Sequence, residues 1–113
     1  MRVPKIEFAV VPEQKITRYL LNPAHPVGGS KALFFLRFGF SVSNWQVLAQ
    51  TLLDHARAND VVESEQTKYG VSYVVDGPLT APDGTVLNVR SAWYIDSAGG
   101  PTRFVTAHPL RKL

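Results

Sequence analysis

The hydrophobic residues of this chain change their spacing once, near residue 60, and that switch is the strongest constraint on its fold. Before the switch, apolar residues recur with the helical period over a segment that begins at Ser43 or Asn44 and ends near Asn59. That pattern consists of Trp45, Leu48, Ala49, Leu52, Leu53 and Ala56. After the switch, short alternating segments are separated by turns. Helices followed by strands predict an α+β fold in a single domain, residues 1–113.

Two further helices are predicted before that one. Residues 13–21 follow Pro12, a residue suited to the first turn of a helix. Their apolar side is formed by Ile16, Tyr19 and Leu20. A loop rich in proline and glycine, residues 22–30, separates them from a second helix, residues 31–38. Because apolar residues surround that second helix, we expect it to be buried on most sides.

Four strands are predicted after residue 60, and their connections are short. They span residues 61–69, 71–79, 85–96 and 102–108. Residues 81–84, Ala-Pro-Asp-Gly, form a turn, since proline fixes φ and glycine readily adopts positive φ. Strands joined by short turns pair antiparallel as a meander. The predicted architecture is therefore three N-terminal helices packed on one face of a four-stranded antiparallel meander, which leaves the other face partly open.

Alternation in the third strand separates its two faces. One set is mainly apolar and is predicted to face the core: Leu87, Val89, Ser91, Trp93 and Ile95. Arg90 and Tyr94 then project onto the open face. In the last strand, Phe104, Thr106 and His108 alternate with their neighbours, and the pattern does not settle which set faces outwards. The residues predicted to be buried together in the core are Phe34, Phe35, Trp45, Leu48, Leu52, Val89 and Trp93.

The composition excludes several classes of chemistry. The chain contains no cysteine, which rules out disulfides, thiolate metal sites and cysteine nucleophiles. Its histidines and acidic residues show no spacing typical of a metal site, so neither a metal nor a cofactor is expected. The sequence holds neither a signal-peptide core nor an apolar run of about 20 residues, and a cytoplasmic location is expected. The net charge of +3 is a mild bias toward phosphate.

His25 is the histidine that the sequence singles out for chemistry. It lies in the loop before the second helix, and Lys31 lies in the first turn of that helix. Amides at a helix N-terminus bind anions, so an imidazole beside them can act as an acid or a base on a phosphodiester. The alternative is a loop histidine that hydrogen-bonds a carbonyl and fixes the turn. His55 lies off the apolar stripe of the third helix and is predicted to be a solvated surface residue.

Eight residues of this chain are suited to the metal-free cleavage of RNA. That reaction needs a base for the 2′-hydroxyl, an acid for the 5′ oxygen, and groups that stabilise charge on the phosphate oxygens. The predicted catalytic residues are His25, Lys31, Arg90 and Thr106. The predicted substrate-binding residues are Thr67, Tyr69, Tyr94 and His108. Arginine suits phosphate through its planar fork, although a strand threonine or a surface arginine needs no functional reason.

Most of the chain, from about Lys15 to Pro109, resembles an uncharacterised family of bacterial domains. The resemblance is carried by residues 15–22 (KITRYLLN), 25–32 (HPVGGSKA), 34–35 (FF), 39–40 (GF), 69–70 (YG), 76–78 (DGP), 82–84 (PDG), 89–93 (VRSAW) and 106–109 (TAHP). The architecture, helices followed by a four-stranded meander, is similar to that of the barnase–EndoU–colicin–RelE group of ribonuclease toxins. This similarity implies a toxin-like endoribonuclease that a protein partner holds in check.

Three functions follow as hypotheses. The first is a metal-independent endoribonuclease that binds RNA and is regulated by a cognate antitoxin or immunity protein on its open face. The second is a non-catalytic module that binds protein or nucleic acid through the same face. The third, a structural partner or immunity-type protein, is disfavoured by the positive net charge, because such proteins are often acidic where their toxin is basic.

Overall fold

The computed structural model describes residues 1–110, and within them four antiparallel strands form a sheet in the order β1-β2-β3-β4. The strands span Val61–Thr67 (β1), Gly70–Thr80 (β2), Val86–Asp96 (β3) and Arg103–Pro109 (β4). Each strand pairs with its neighbour in the sequence. The predicted α+β class and the four-stranded antiparallel meander are therefore confirmed.

Residues 1–60 contain three helices and one shorter turn. They are a 3₁₀ turn at Ile6–Phe8, a π-helix at Lys15–Leu20, and the α-helices α1 (Gly29–Arg37) and α2 (Trp45–Ala58). The first predicted helix is thus mostly a π-helix, in which the amide of Leu21 donates to the carbonyl of Ile16 at 2.8 Å. Ile16 and Leu20 are buried, whereas Tyr19 is half-buried on the side that contacts β4. Short π-helical segments occur frequently at functional sites.

The core joins α2 to one face of the sheet. Five of the predicted core residues are buried there: Phe35, Leu48, Leu52, Val89 and Trp93. The other two, Phe34 and Trp45, are only half-buried, because they pack against the margin of this cluster. The switch in hydrophobic period therefore located the layers of the core but not its boundary.

The helix α1 is less buried than its composition predicts. Ala32 and Phe35 face the core, whereas Leu33 is 62% exposed. The helix packs on the π-helix and on β4, so only part of its circumference is covered. The expectation of a helix buried on most sides is therefore wrong, because apolar composition alone does not give the number of neighbours around a helix.

His55 is buried, and the prediction of a solvated surface residue is wrong. Its Nδ1 lies 3.0 Å from Ser91 Oγ, and its Nε2 lies 3.0 Å and 3.2 Å from the carbonyl oxygens of Val89 and Gly77. Because carbonyls only accept, the proton is on Nε2, and Nδ1 accepts from the Ser91 hydroxyl. The indole N–H of Trp93 donates to the same Ser91 oxygen at 2.9 Å. A polar side chain can occupy the core here because the sheet supplies partners for both ring nitrogens.

A β-bulge in β4 decides which of its side chains face away from the core. Phe104 pairs with Trp93 on the core face, whereas Thr106 pairs with Ala92 on the opposite face, which leaves Val105 as the extra residue. Beyond the bulge, each side chain of β4 points to the face opposite to the one that strict alternation from Phe104 would give. The sheet surface opposite the core, here named the polar face, carries Asp76, Arg90, Ala92, Tyr94, Thr106 and His108.

The residues before the π-helix cover the outer edge of β4. The amide of Val10 donates to the carbonyl of Thr102 at 2.8 Å, and the amide of Phe104 donates to the carbonyl of Val10 at 2.9 Å. The hydroxyl of Thr102 also donates to the carbonyl of Pro4 at 2.7 Å, across 98 positions of sequence. The start of β4 is therefore covered by a parallel segment, whereas residues 62–67 of β1 at the other edge of the sheet are exposed.

Candidate functional site

Side chains from three elements and one loop meet at the β4 edge of the polar face. The hydroxyl of Tyr19, from the π-helix, lies 2.9 Å from Thr106 Oγ1 on β4. The ammonium of Lys31, from α1, donates to the Tyr19 hydroxyl at 2.8 Å and to Thr106 Oγ1 at 3.3 Å. The ring of His25 meets the Tyr19 ring edge-on, with 5.0 Å between the centroids. These four residues are named the Tyr19 cluster.

Three of the four predicted catalytic residues therefore meet: His25, Lys31 and Thr106. Their meeting point is Tyr19, whose apolar spacing in the sequence had placed it on the buried side of a helix. Tyr19 and Thr106 are 87 positions apart, so no local pattern signals their contact. A tyrosine within a basic segment, between Lys15 and Lys31, is the one sequence feature that could have indicated this centre.

The charges around Tyr19 favour loss of its phenolic proton. Burial acts to raise the pKa of this group, but the hydrogen bonds from Lys31 and Thr106 and the charges of Lys31 and Lys15 act to lower it. Together they hold the pKa of Tyr19 below its usual value of 10.0. The ammonium nitrogens of Lys31 and Lys15 lie 5.3 Å and 5.8 Å from the ring centroid. Tyr19 is therefore a stronger proton donor than a solvated tyrosine.

His25 fixes the loop that leads into α1. Its Nδ1 accepts hydrogen bonds from the amides of Val27 and Gly28, both at 3.0 Å, and its carbonyl accepts from the amide of Gly29 at 3.0 Å. Because an amide only donates, Nδ1 carries no proton, and the proton of the neutral ring is on Nε2. The predicted anion site is wrong for these three amides, since His25 already binds them. His25 therefore fixes the loop, as the alternative interpretation expected, but its ring binds two amides rather than a carbonyl.

A second polar group, the Asp76 row, crosses three strands beside the Tyr19 cluster. Arg90 binds Asp76 through two hydrogen bonds, from Nε to Oδ1 at 2.7 Å and from Nη2 to Oδ2 at 2.9 Å. The register places His108 of β4 opposite Arg90, which completes the row. The hydrogen bonds from Arg90 hold the pKa of Asp76 below its usual value. Arg90 therefore shares the polar face with Thr106, and its guanidinium binds Asp76 rather than a residue of the Tyr19 cluster.

The predicted substrate-binding residues divide into two groups. Thr67 and Tyr69 lie where β1 ends and turns into β2, and Thr67 Oγ1 accepts from the amide of Tyr69 at 3.1 Å. Three strand spacings, roughly 14 Å, separate β1 from β4. Tyr94 lies on the polar face of β3, with Arg103 Cζ 5.1 Å from its ring centroid. Tyr94 and His108 are therefore the two that lie on the strands next to the Tyr19 cluster.

Comparison with known proteins assigns the chain to a family. A family model described as a domain of unknown function, DUF6883, matches residues 2–111. The chain belongs to this family. One solved structure with a similar fold is a chain of the contact-dependent growth inhibition toxin–immunity protein complex from Klebsiella pneumoniae 342. The TM-score is 0.69 at 20% identity, with 89% of this chain and 99% of that chain covered, and at this identity the likeness shows the fold alone.

No curated protein matches the sequence of this DUF6883 domain. Within residues 1–110, no group of three or more His, Cys, Asp or Glu side chains is placed to hold a metal ion. In the same part of the chain, no helix is long and apolar enough to cross a membrane.

A surface cleft of about 340 Å³ lies between α1 and the ends of β3 and β4, lined by Phe34, Leu87, Asn88 and Leu110. Its lining contains no acid or base, so the Tyr19 cluster is the better candidate for chemistry.

Proposed function

We propose that this domain is a toxin-like, metal-independent endoribonuclease whose active centre is the Tyr19 cluster. The observation that carries the proposal is the hydrogen-bonded triangle of Tyr19, Lys31 and Thr106. A phenol with a lowered pKa beside an ammonium group is a proton donor next to a positive charge. RNA cleavage without a metal requires both, together with a base. The fold likeness to a chain of a toxin–immunity protein complex supports the toxin-like class.

Each member of the Tyr19 cluster has a role that its geometry supports. Tyr19 donates a proton to the departing 5′ oxygen, and Thr106 holds the Tyr19 hydroxyl in place. The ammonium of Lys31 stabilises the negative charge that develops on the phosphate oxygens. The Nε2–H of His25 donates a hydrogen bond to the same oxygens, since its Nδ1 is already bound to backbone amides.

The proposed reaction is an intramolecular transesterification of RNA. The 2′ oxygen of a ribose attacks the adjacent phosphorus atom, and the bond from phosphorus to the 5′ oxygen of the next nucleotide breaks. The 5′ oxygen takes the proton of Tyr19, and the 2′-hydroxyl proton passes to a base. The products are a 2′,3′-cyclic phosphate and a free 5′-hydroxyl.

A cognate antitoxin or immunity protein is the proposed partner, and it covers the polar face. Two observations support this: the structural neighbour belongs to a toxin–immunity protein complex, and the net charge of +3 favours an acidic partner. We also propose that all three helices pack on the core face, as the sequence predicts. The polar face then remains accessible at Arg90, Thr106 and His108, which are half-buried in the free domain. A partner seated there excludes RNA from the Tyr19 cluster.

The test is cleavage of RNA by the pure domain in EDTA, with the product ends identified by mass spectrometry. We expect 2′,3′-cyclic phosphate ends in total RNA and in a single-stranded oligoribonucleotide. Lys31→Ala is expected to lower the cleavage rate about 10²–10³-fold. Lys68→Ala is the matched control, because Lys68 Nζ also lies over a tyrosine ring, 5.1 Å from the centroid of Tyr69, at the other edge of the sheet. It removes the same charge and is expected to retain activity.

Three outcomes count against the proposal. A folded protein that neither cleaves nor binds RNA rejects it. A protein that binds RNA without cleaving it is instead the non-catalytic binding module. Equal losses of activity in the two lysine variants show that net charge, rather than the geometry of the Tyr19 cluster, governs the reaction.

A further inference from the structure

The Tyr19 cluster consists of groups that donate hydrogen bonds or carry positive charge. Lys31 is a donor only, and the Nδ1 of His25 is bound to two amides. Tyr19 receives the hydrogen bond of Lys31 and serves the departing oxygen in the proposed reaction. The cluster therefore lacks a group that is free to accept the proton of the 2′-hydroxyl, and that base must come from a neighbouring element.

We propose that His108 of β4 is this general base, an inference that rests on the proposed endoribonuclease function. The Nδ1 of His108 lies 3.1 Å from the carbonyl oxygen of Pro109. A carbonyl only accepts, so the ring proton is on Nδ1, and the lone pair of Nε2 is available. His25 has the opposite arrangement, with the proton on Nε2. Because of these backbone contacts, Nε2 is a hydrogen-bond donor in His25 and an acceptor in His108.

The position of His108 suits a base that acts together with the Tyr19 cluster. His108 and Thr106 lie on the same face of β4, beyond the bulge at Val105. Two strand steps separate them by roughly 7 Å. The attacking and departing oxygens lie in line on opposite sides of the phosphorus atom. An acid beside Thr106 and a base at His108 can therefore flank one phosphodiester.

The charged groups that face His108 also suit this role. Asp76 and Arg90 occupy the same row of the polar face and bind each other. The charge of His108 contributes to the low pKa of Asp76, although Arg90 of β3 lies between His108 on β4 and Asp76 on β2. Arg90 is the charged group opposite His108, and the Asp76 carboxylate that binds Arg90 offsets this positive charge when His108 takes a proton. Arg90 is then a positioning residue, which holds Asp76 in place.

The proposed step moves two protons and exchanges one phosphorus–oxygen bond for another. His108 Nε2 takes the proton of the 2′-hydroxyl as the 2′ oxygen bonds to phosphorus. The bond to the 5′ oxygen breaks, and that oxygen takes the proton of Tyr19. The enzyme is left with a protonated His108 and an ionised Tyr19, which recover their starting states by proton exchange with water. No other reactant is consumed.

The test compares two substrates that differ in their leaving group. One is an oligoribonucleotide, and the other is a ribonucleoside 3′-(4-nitrophenyl phosphate), whose leaving group departs without a proton. His108→Ala is expected to lower cleavage of both substrates about 10²–10⁴-fold, with partial recovery on addition of imidazole. Tyr19→Phe is expected to lower cleavage of the oligoribonucleotide by a similar factor and of the nitrophenyl ester far less. Circular dichroism establishes that each variant is folded.

The outcomes separate this inference from the proposed function. A His108→Ala variant that cleaves the nitrophenyl ester at the wild-type rate overturns the base assignment, while the endoribonuclease function stands. A wild-type domain that cleaves neither substrate overturns both. The tautomers give a readout without turnover and without any variant: ¹⁵N NMR of the wild-type domain at neutral pH is expected to find Nε2 of His108 and Nδ1 of His25 unprotonated. A proton on Nε2 of neutral His108 overturns the inference.

Discussion

Two hydrogen-bonded networks in this domain, one around His55 and one around Tyr19, use similar side chains to opposite effect. His55 is 2% exposed, and its ring nitrogens are matched to one hydroxyl and two carbonyl groups of the sheet. Tyr19 is half-buried, and the donors around it exceed the acceptors. Lys31 has three N–H groups and two partners, and the Nε2–H of His25 has no partner within residues 1–110.

The difference between the two networks separates stability from function. Buried polar groups that are matched inside the protein hold the fold, and removing one member leaves its partners unsatisfied at a cost of about 1–3 kcal/mol. A half-exposed network with unused donors beside a cation can instead bind an anion without rearrangement. Substitutions in the two networks are therefore expected to change different measured quantities.

The largest expected effect is on catalysis at Tyr19. Tyr19→Phe removes the hydroxyl and is expected to lower cleavage of RNA about 10²–10⁴-fold. Because the hydroxyl is half-exposed and water can replace it as a partner of Lys31, the free energy of unfolding is expected to change by less than about 1 kcal/mol. Cleavage assays and urea unfolding measure the two quantities. A large loss of stability without loss of activity would reverse the comparison.

The next effect is on stability at His55. His55→Ala leaves the Ser91 hydroxyl and two carbonyls without their partner and opens a cavity in the core, so the free energy of unfolding is expected to fall by about 3 kcal/mol. Cleavage by the folded fraction is expected to be unchanged. Gln50→Ala, on the exposed side of the same helix, is the control and is expected to stay within about 0.5 kcal/mol of the wild type. If His55→Ala also lost activity at low temperature, where the variant is folded, the two networks would be coupled.

A smaller effect is the pH dependence that His55 gives to stability. Burial lowers the pKa of His55 below its usual 6.5, although its carbonyl partners and Asp76 act in the opposite direction. Below pH 6.5 the unfolded chain therefore binds a proton that the folded domain does not. The free energy of unfolding then decreases as the pH is lowered, until the pKa of His55 in the folded domain is reached. The slope from this group is up to about 1.4 kcal/mol per pH unit. Urea unfolding between pH 7.5 and 5 is expected to show this slope in the wild type and not in His55→Ala; equal slopes contradict the prediction.

The smallest effect is on stability at His25, where loop fixing and chemistry can be separated. His25→Ala removes the acceptor of two amides and is expected to lower the free energy of unfolding by about 1 kcal/mol. His25→Asn keeps an acceptor oxygen near the position of Nδ1 but has no group in place of Nε2–H. We expect Asn to restore stability and not cleavage. Full activity in His25→Asn would leave His25 with the loop-fixing role alone.

The sequence predicted the secondary structure well because each element has a clear period. The third predicted helix, 43–59, corresponds to Trp45–Ala58, and the third predicted strand, 85–96, corresponds to Val86–Asp96. The π-helix was predicted as an ordinary helix, since apolar spacing over six residues does not distinguish the two. Burial of His55 was missed because hydrophobic periodicity treats a histidine as polar and cannot foresee partners supplied by the sheet.

The candidate site was only partly predictable, and the reason lies in β4. Phe104 and Thr106 have the same parity in the sequence, yet they face opposite sides of the sheet because Val105 is bulged. No residue in this strand marks the bulge, so the sequence could not decide whether Thr106 faces the core. Asp76 was missed as the partner of Arg90 because that pair depends on the register between β2 and β3.

The bonds that tie Pro4 and Val10 to residues 102–104, at the start of β4, have a consequence for the order in which the domain is made. The contact between Pro4 and Thr102 spans 98 positions, and contacts of such separation form late in folding. A ribosome extends the chain by about 5–20 residues per second, so the helices emerge seconds before the fourth strand. Thr106 and His108 both belong to that strand. Under the proposed mechanism, a chain still in synthesis holds Tyr19 without its partner or its base, and it is therefore inert toward the RNA of the ribosome that makes it.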